Sequence, residues 1–296
     1  MPHILTLVAA PGALDPALVG RARDALDQLG AAPGAPDWLA PREAADIPFT
    51  GAAEQAAAAA RAALGTAPVD AIATPAAGRR KKLLVADMDS TIVTTETLDE
   101  IAAFAGLKEQ IAEITRRSMN GELDFRQALI ARVGMLEGLS VTALEATWAE
   151  TRMMPGAAEL VGTMRAHGAH CCLASGGFTF FTGRVAETLG FHTHVSNTLL
   201  IADGKLTGRV AEPIFDRNAK LATLTRLASE NQVPLDAALA VGDGANDLDM
   251  IKAAGLGVAF KAKPVVAAAA RARVDHGDLT ALLFAQGYRR SEFVTR

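Results

Sequence analysis

The chain has 296 residues, half of them apolar, with 29 basic and 33 acidic side chains and a net charge of −4. That length holds one large or two ordinary domains, and so much apolar content with so little net charge excludes a disordered chain or a collagen-like repeat. No basic block exceeds Arg79-Arg80-Lys81-Lys82, so the footprint needed to hold a nucleic-acid backbone is missing.

Residues 1 to about 77 are rich in Ala and Pro. Residues 4–9 and 69–74 read as strands and 16–29 and 54–64 as helices, with a proline-rich connection between the two helices. The alanine run 56–60 is flanked by Glu54, Gln55 and Arg61 and reads as helix, because Ala is the best helix former. No Lys or Arg precedes the apolar stretch 4–10, which argues against a signal peptide. Thr74-Pro75-Ala76-Ala77-Gly78 and the basic tetrad mark a linker. The expected division is a small α/β domain over 1–77 and a second domain over 78–296.

The second domain repeats one pattern, a short apolar strand that ends in a polar loop. Residues 83–86 run into Asp87, 170–174 into Ser175-Gly176-Gly177, 238–241 into Gly242-Asp243-Gly244, and 256–260 into Lys261. Such runs suit parallel strands buried on both faces. Helical periodicity follows at 179–189, 218–231 and 247–254, so the expected fold class is α/β, a doubly wound, Rossmann-like parallel sheet. Ser175-Gly176-Gly177 is read as the opening of the next helix, where free backbone N–H groups favour anions. The insertion at about 95–154 has only helical periodicity and is expected to form a helical cap over the mouth of the sheet. Residues 198–210 read as a β-hairpin turning at Asp203-Gly204. The longest uncharged run, 166–183, is broken by His, Gly, Ser and Thr and cannot serve as a span of about 20 apolar residues, so no membrane partner is expected. Its adjacent Cys171 and Cys172 would bridge only with strain, which points to a reducing, cytoplasmic location.

Asp87-Met88-Asp89-Ser90-Thr91 and Gly242-Asp243-Gly244-Ala245-Asn246-Asp247 each close an apolar strand. Three acids converging on one sheet edge repel one another unless a cation neutralises them, and hard oxygen ligands favour Mg²⁺. Such a cation would shield a phosphoryl group from an approaching carboxylate, which makes Asp87 a candidate nucleophile. Asp89, two residues on, is a candidate general acid and base. Ser175 and Gly176 offer a hydroxyl and backbone N–H groups to the phosphoryl oxygens, and Lys220 a point charge.

That order resembles the haloacid dehalogenase-type phosphatase superfamily: nucleophile loop, Ser after a second strand, Lys, then an acidic loop. Over about residues 83–283 the chain is similar, within it, to the phosphoserine phosphatases, through those loops together with Gly121-Glu122-Leu123-Asp124-Phe125, Ser175-Gly176-Gly177-Phe178 and Asp203-Gly204-Lys205-Leu206-Thr207-Gly208. The resemblance implies hydrolysis of the small molecule O-phospho-L-serine, the last step of L-serine biosynthesis, or by a sister enzyme another small phosphate ester. It implies that Asp87 attacks phosphorus and that Asp89 protonates the leaving oxygen and then activates water. It implies Mg²⁺ held by Asp87, the Asp89 carbonyl and Asp243. Ser175, Gly176 and Lys220 would hold the phosphoryl group, with Asn246 and Asp247 in support. Glu96 would read the substrate amine, Arg132 its carboxylate, and Met119 and Phe125 would be apolar walls. The first 76 residues resemble more loosely an ACT-like regulatory region. Their Ala- and Pro-rich sequence departs from the amino-acid-binding pattern, so a packing or dimerisation module, giving a homodimer, is the expectation.

Overall fold

The computed structural model describes residues 2–295. Its first part runs β1 (Pro2–Val8), α1 (Pro16–Gln28), β2 (Asp37–Ala40), β3 (Ala44–Thr50), α2 (Ala53–Leu64) and β4 (Asp70–Pro75). The four strands form an antiparallel sheet in the order β2-β3-β1-β4, a split βαββαβ arrangement. Strands β2 and β3 fall in the stretch that reads from sequence as a proline-rich connection. Ala and Pro are poor strand formers, and pairing with β1, Leu7 opposite Ala45 and Ile4 opposite Pro48, imposes the extended form. Pro48 is tolerated because β2 pairs with β3 only as far as Asp46, so its missing N–H costs no ladder bond. Leu5, Leu7, Ile47 and Phe49 face the helices and pack with Ala22, Leu26, Ala57 and Leu64. Ile72, Leu39 and Ala44 join the main core instead.

The rest of the chain runs β5 (Leu83–Ala86), α3 (Thr97–Ala103), α4 (Lys108–Met119), α5 (Phe125–Gly134), α6 (Thr142–Glu150), α7 (Ala157–Ala166), β6 (His170–Phe178), α8 (Thr179–Leu189) and β7 (Thr193–Asn197). It continues through β8 (Leu199–Ala202), β9 (Lys205–Val210), α9 (Arg217–Glu230), β10 (Ala238–Gly242), α10 (Leu248–Ala253), β11 (Leu256–Phe260), α11 (Pro264–Ala269), β12 (Ala272–Val274) and α12 (Ala281–Ala285). Six strands form a parallel sheet in the order β12-β11-β10-β5-β6-β7. The chain enters at β5 and builds β6 and β7 on one side, then β10 to β12 on the other. The winding reverses beside β5, and the crevice beyond its carboxyl end is where such sheets bind ligands.

One further sequence expectation changes. Ser175-Gly176-Gly177 does not open a helix: β6 continues through it to Phe178, with a bulge between Ala174 and Phe178, and α8 starts at Thr179. The β8–β9 hairpin, whose turn places Asp203 and Gly204 at φ +47° and +71° as a type I′ turn requires, is tied to the helical insertion. Gly138 N–H donates to the Leu206 carbonyl (2.9 Å) and Leu206 N–H to that of Leu139 (2.8 Å).

The two sheets are joined by buried polar contacts. Arg79 pairs with Asp46 at 2.5 Å and donates to Thr6 Oγ1 and to the Phe284 and Ala285 carbonyls. The Asp70 carboxylate accepts from the N–H groups of Asp275 and Gly277, both at 2.7 Å. Among the described residues no helix is long and apolar enough to cross a membrane.

Candidate active site

At the carboxyl end of β5 the main chain turns sharply. The N–H groups of Ile92 and Val93 both donate to the Met88 carbonyl, and Ser90 sits at φ +56°. This turn sets Asp87 and Asp89 at the mouth of the sheet beside the end of β10. Asp243 and Asp247 come from the β10–α10 loop, where Asp247 Oδ2 accepts from Gly244 N–H at 3.0 Å. Lys220, on the first turn of α9, is fully buried and donates to Asp87 Oδ1 and Asp247 Oδ1, each at 2.6 Å.

A cavity lies above these groups. Asp87, Asp89, Glu96, Met119, Phe125, Arg132, Ser175, Gly176, Asp243 and Asn246, all named from sequence, line it. Lys220 and Asp247 do not. The Lys220 ammonium, expected to hold the phosphoryl group, donates to two carboxylates. Ser175 donates to Asp89 Oδ2 at 3.3 Å and accepts from Gly177 N–H at 2.8 Å. A Cβ on Gly177 would come 2.7 Å from Asp89 Oδ2 and 3.0 Å from Ser175 Oγ, so a larger residue there would push both side chains aside.

The opposite wall comes from the insertion. Glu96 precedes α3 and accepts from Ser90 Oγ at 2.7 Å. Met119 ends α4 and Phe125 starts α5. Arg132 is 3 % exposed; its Nε donates to the Ala128 carbonyl (3.1 Å) and its Nη1 to Thr115 Oγ1 (2.8 Å). Thr115 donates in turn to Asp99 Oδ1 at 2.6 Å. Sequence reading missed Asp99 and Thr115, which meet Arg132 only once three helices pack. It also missed Lys263, 3.3 Å from Asp243 Oδ2, although the lysine stands just past a strand that ends in the right place.

Burial first, and then mutual repulsion, disfavours the charged acids. Asp87 is held well above the usual carboxylate range by burial and the Asp247 charge, against the opposing pull of Lys220. Burial and Glu96 raise Asp89 to about 7, and burial, Glu96 and Asp247 raise Asp243 to about 8. For Lys220 burial alone would lower the pKa, but the Asp247 and Asp87 charges reverse that and keep the ammonium charged.

The model of the haloacid dehalogenase-like hydrolases matches residues 84–252, the span that carries all of these groups. The chain belongs to that family. Among haloacid dehalogenase-like relatives, a phosphoserine phosphatase of Streptomyces coelicolor is 47% identical over 224 residues, 75% of this chain and 55% of that protein. The chain thus spans about half the length of that relative. A solved structure described as a phospho-aspartyl intermediate analogue of phosphoserine phosphatase is 38% identical with a TM-score of 0.67, covering 69% of this chain and 98% of that one. A probable phosphoserine phosphatase from Vibrio cholerae, 33% identical with a TM-score of 0.77, covers 99% of this chain and 90% of that one, so the likeness reaches through the N-terminal sheet.

In this haloacid dehalogenase-like hydrolase the donor set fits a divalent cation. Oxygens of Asp87, Asp243 and Asp247 lie within 4.8 Å of one another, and Asp243 Oδ2 is buried with only the Lys263 ammonium beside it, at 3.3 Å. This triad includes the Asp247 carboxylate, which the sequence reading gave a supporting place. Hard oxygen donors of this kind suit Mg²⁺, and a cation favours the charged forms that burial opposes. The titration makes a prediction for the metal-free protein. Between the ordinary carboxylate pKa and about 7–8 the folded state retains protons on Asp89 and Asp243 that the unfolded chain has lost. Stability is therefore greatest at low pH and falls, by about 3 kcal/mol per pH unit while both protons are held, as pH rises through that window. Denaturant titrations in EDTA from pH 5 to 8 should show this fall, and saturating Mg²⁺ should flatten it; a rise in EDTA would contradict it.

Proposed function

We propose that the chain is a phosphoserine phosphatase that hydrolyses O-phospho-L-serine to L-serine and phosphate through an aspartyl phosphate on Asp87. The observation that carries this reading is a single cavity with Asp87 and Asp89 at one end and, on the insertion side, Glu96 and a buried Arg132. A phosphate monoester that also carries an ammonium and a carboxylate complements such a cavity in charge at each place. The phosphoserine phosphatases among the relatives support it.

Lys220 occupies Asp87 Oδ1, which leaves Oδ2 to attack phosphorus in line with the ester oxygen. Asp89, with a pKa near neutrality, is suited to give its proton to the departing seryl oxygen as the P–O bond breaks. It then takes a proton from the water that opens the acyl phosphate, returning Asp87 as carboxylate and releasing phosphate. Ser175 Oγ and the main chain at Gly176 receive the phosphoryl oxygens. Mg²⁺, held by Asp87, Asp243 and the Asp89 carbonyl with Asp247 in support, would supply charge neutralisation between nucleophile and phosphate. The insertion is read as a cap, residues 1–77 as an ACT-like packing module docked through Arg79 and Asp70, and 78–296 as the catalytic domain.

The test compares two esters. With Mg²⁺ the protein should release phosphate from phosphoserine and stop with a chelator. Arg132→Ala should lower kcat/KM for phosphoserine by roughly 10²-fold, the scale of losing one partner of a buried charge pair, and leave p-nitrophenyl phosphate nearly unchanged. Equal losses on both would remove Arg132 from substrate reading.

A further inference from the structure

A buried guanidinium normally closes on a carboxylate and uses its planar fork to do so. Arg132 does not. Its counter-charge, Asp99, is also buried, yet the two meet only through Thr115, whose hydroxyl oxygen accepts from Arg132 Nη1 while its proton goes to Asp99 Oδ1. Arg132 Nε is engaged by the carbonyl one turn back. Among the described residues Nη2 has no hydrogen-bond partner, and Arg132 is part of the cavity wall.

We infer that Thr115 and Asp99 are positioning residues that determine specificity: they hold Arg132 on one edge and keep its Nη2 edge bare for the substrate carboxylate. This rests on the phosphoserine reading given above. Asp99 offsets the cost of burying the guanidinium, and Thr115 is the spacer that prevents it from capping the fork. Two geometric facts make the arrangement directional. Thr115 Oγ1 also lies 3.0 Å from the Ile111 carbonyl, so its oxygen is fixed on the α4 side. Asp99 lies on α3, the helix that Glu96 precedes, so α3 carries the group expected to read the amine and, through Thr115, steadies the one on α5 expected to read the carboxylate.

Three variants and two substrates test this. Thr115→Val keeps the shape but removes the bridge, and should raise KM for phosphoserine about tenfold with kcat changed less than about threefold. Its kcat/KM for p-nitrophenyl phosphate, which has no carboxylate, should stay within twofold of the parent. Thr115→Ser restores the hydroxyl and should recover most of the KM. Thr115→Val with unchanged KM, or with equal losses on both substrates, would overturn the positioning role, as would failure of Thr115→Ser to recover. Arg132→Ala separates the two levels. Selective loss there with none on Thr115→Val rejects the positioning role alone, whereas no selective loss there rejects the carboxylate reading and the positioning role together.

Discussion

Lys220→Met should destabilise the fold by about 3–5 kcal/mol, the cost of leaving buried charge uncompensated, and lower Tm by roughly 5–15 °C. Lys220 is fully buried and is the ammonium held by both Asp87 and Asp247 at 2.6 Å. Without it two carboxylates in a low-dielectric site face each other and Asp243 with only Lys263 nearby. Protonation relieves part of that repulsion. Because the folded-state pKa of Asp87 already stands above its unfolded value and rises further without the ammonium, the deficit should shrink as pH falls from 8 toward 5. Denaturant curves of parent and variant at both pH values, in EDTA, check the sign. A variant as stable as the parent at pH 8 would show that the ion pairs contribute nothing.

Asp87→Asn should abolish turnover, by roughly 10⁴-fold or more, the scale seen when a nucleophile is deleted, while the protein remains folded. The amide is close in size to the carboxylate, still accepts from Lys220 at its oxygen, and removes one of the mutually repelling charges around Asp243 and Asp247. Tm in EDTA should therefore change by only a few degrees. The pair of results separates two roles. Lys220 chiefly holds the acids together, and Asp87 chiefly carries the chemistry, although both sit within one hydrogen bond of each other.

The acids at the sheet edge were legible in the sequence because buried parallel strands read as unbroken apolar runs, and the residue after such a run lies at the carboxyl end of the sheet. Leu83–Ala86 and Ala238–Gly242 both behave in this way. Strands β2 and β3 were not legible. Their Ala-rich, Pro-containing segments have little strand propensity of their own and are extended because β1 lies beside them. Ser175-Gly176-Gly177 was misplaced because two glycines suggest a loop, whereas here they let a bulged strand end pass close to Asp89 and Phe125. Glu96, Met119, Phe125 and Arg132 entered through a family resemblance rather than from periodicity, and the structure places all four on one cavity. Asp99 and Thr115 left no signal, since an acid and a threonine on separate amphipathic helices read as solvated faces until α3, α4 and α5 are packed together.

The proposed reaction turns on one carboxylate, Asp87, taking the phosphoryl group from the substrate. The most direct measurement is an acid quench during steady turnover of phosphoserine with Mg²⁺, followed by digestion and mass spectrometry of the phosphorylated peptide. An acid-stable, hydroxylamine-labile phosphoryl group should be found on Asp87, absent in Asp87→Asn and in samples quenched without substrate. Phosphoryl label on another residue, or turnover by Asp87→Asn near the parent rate, would contradict it.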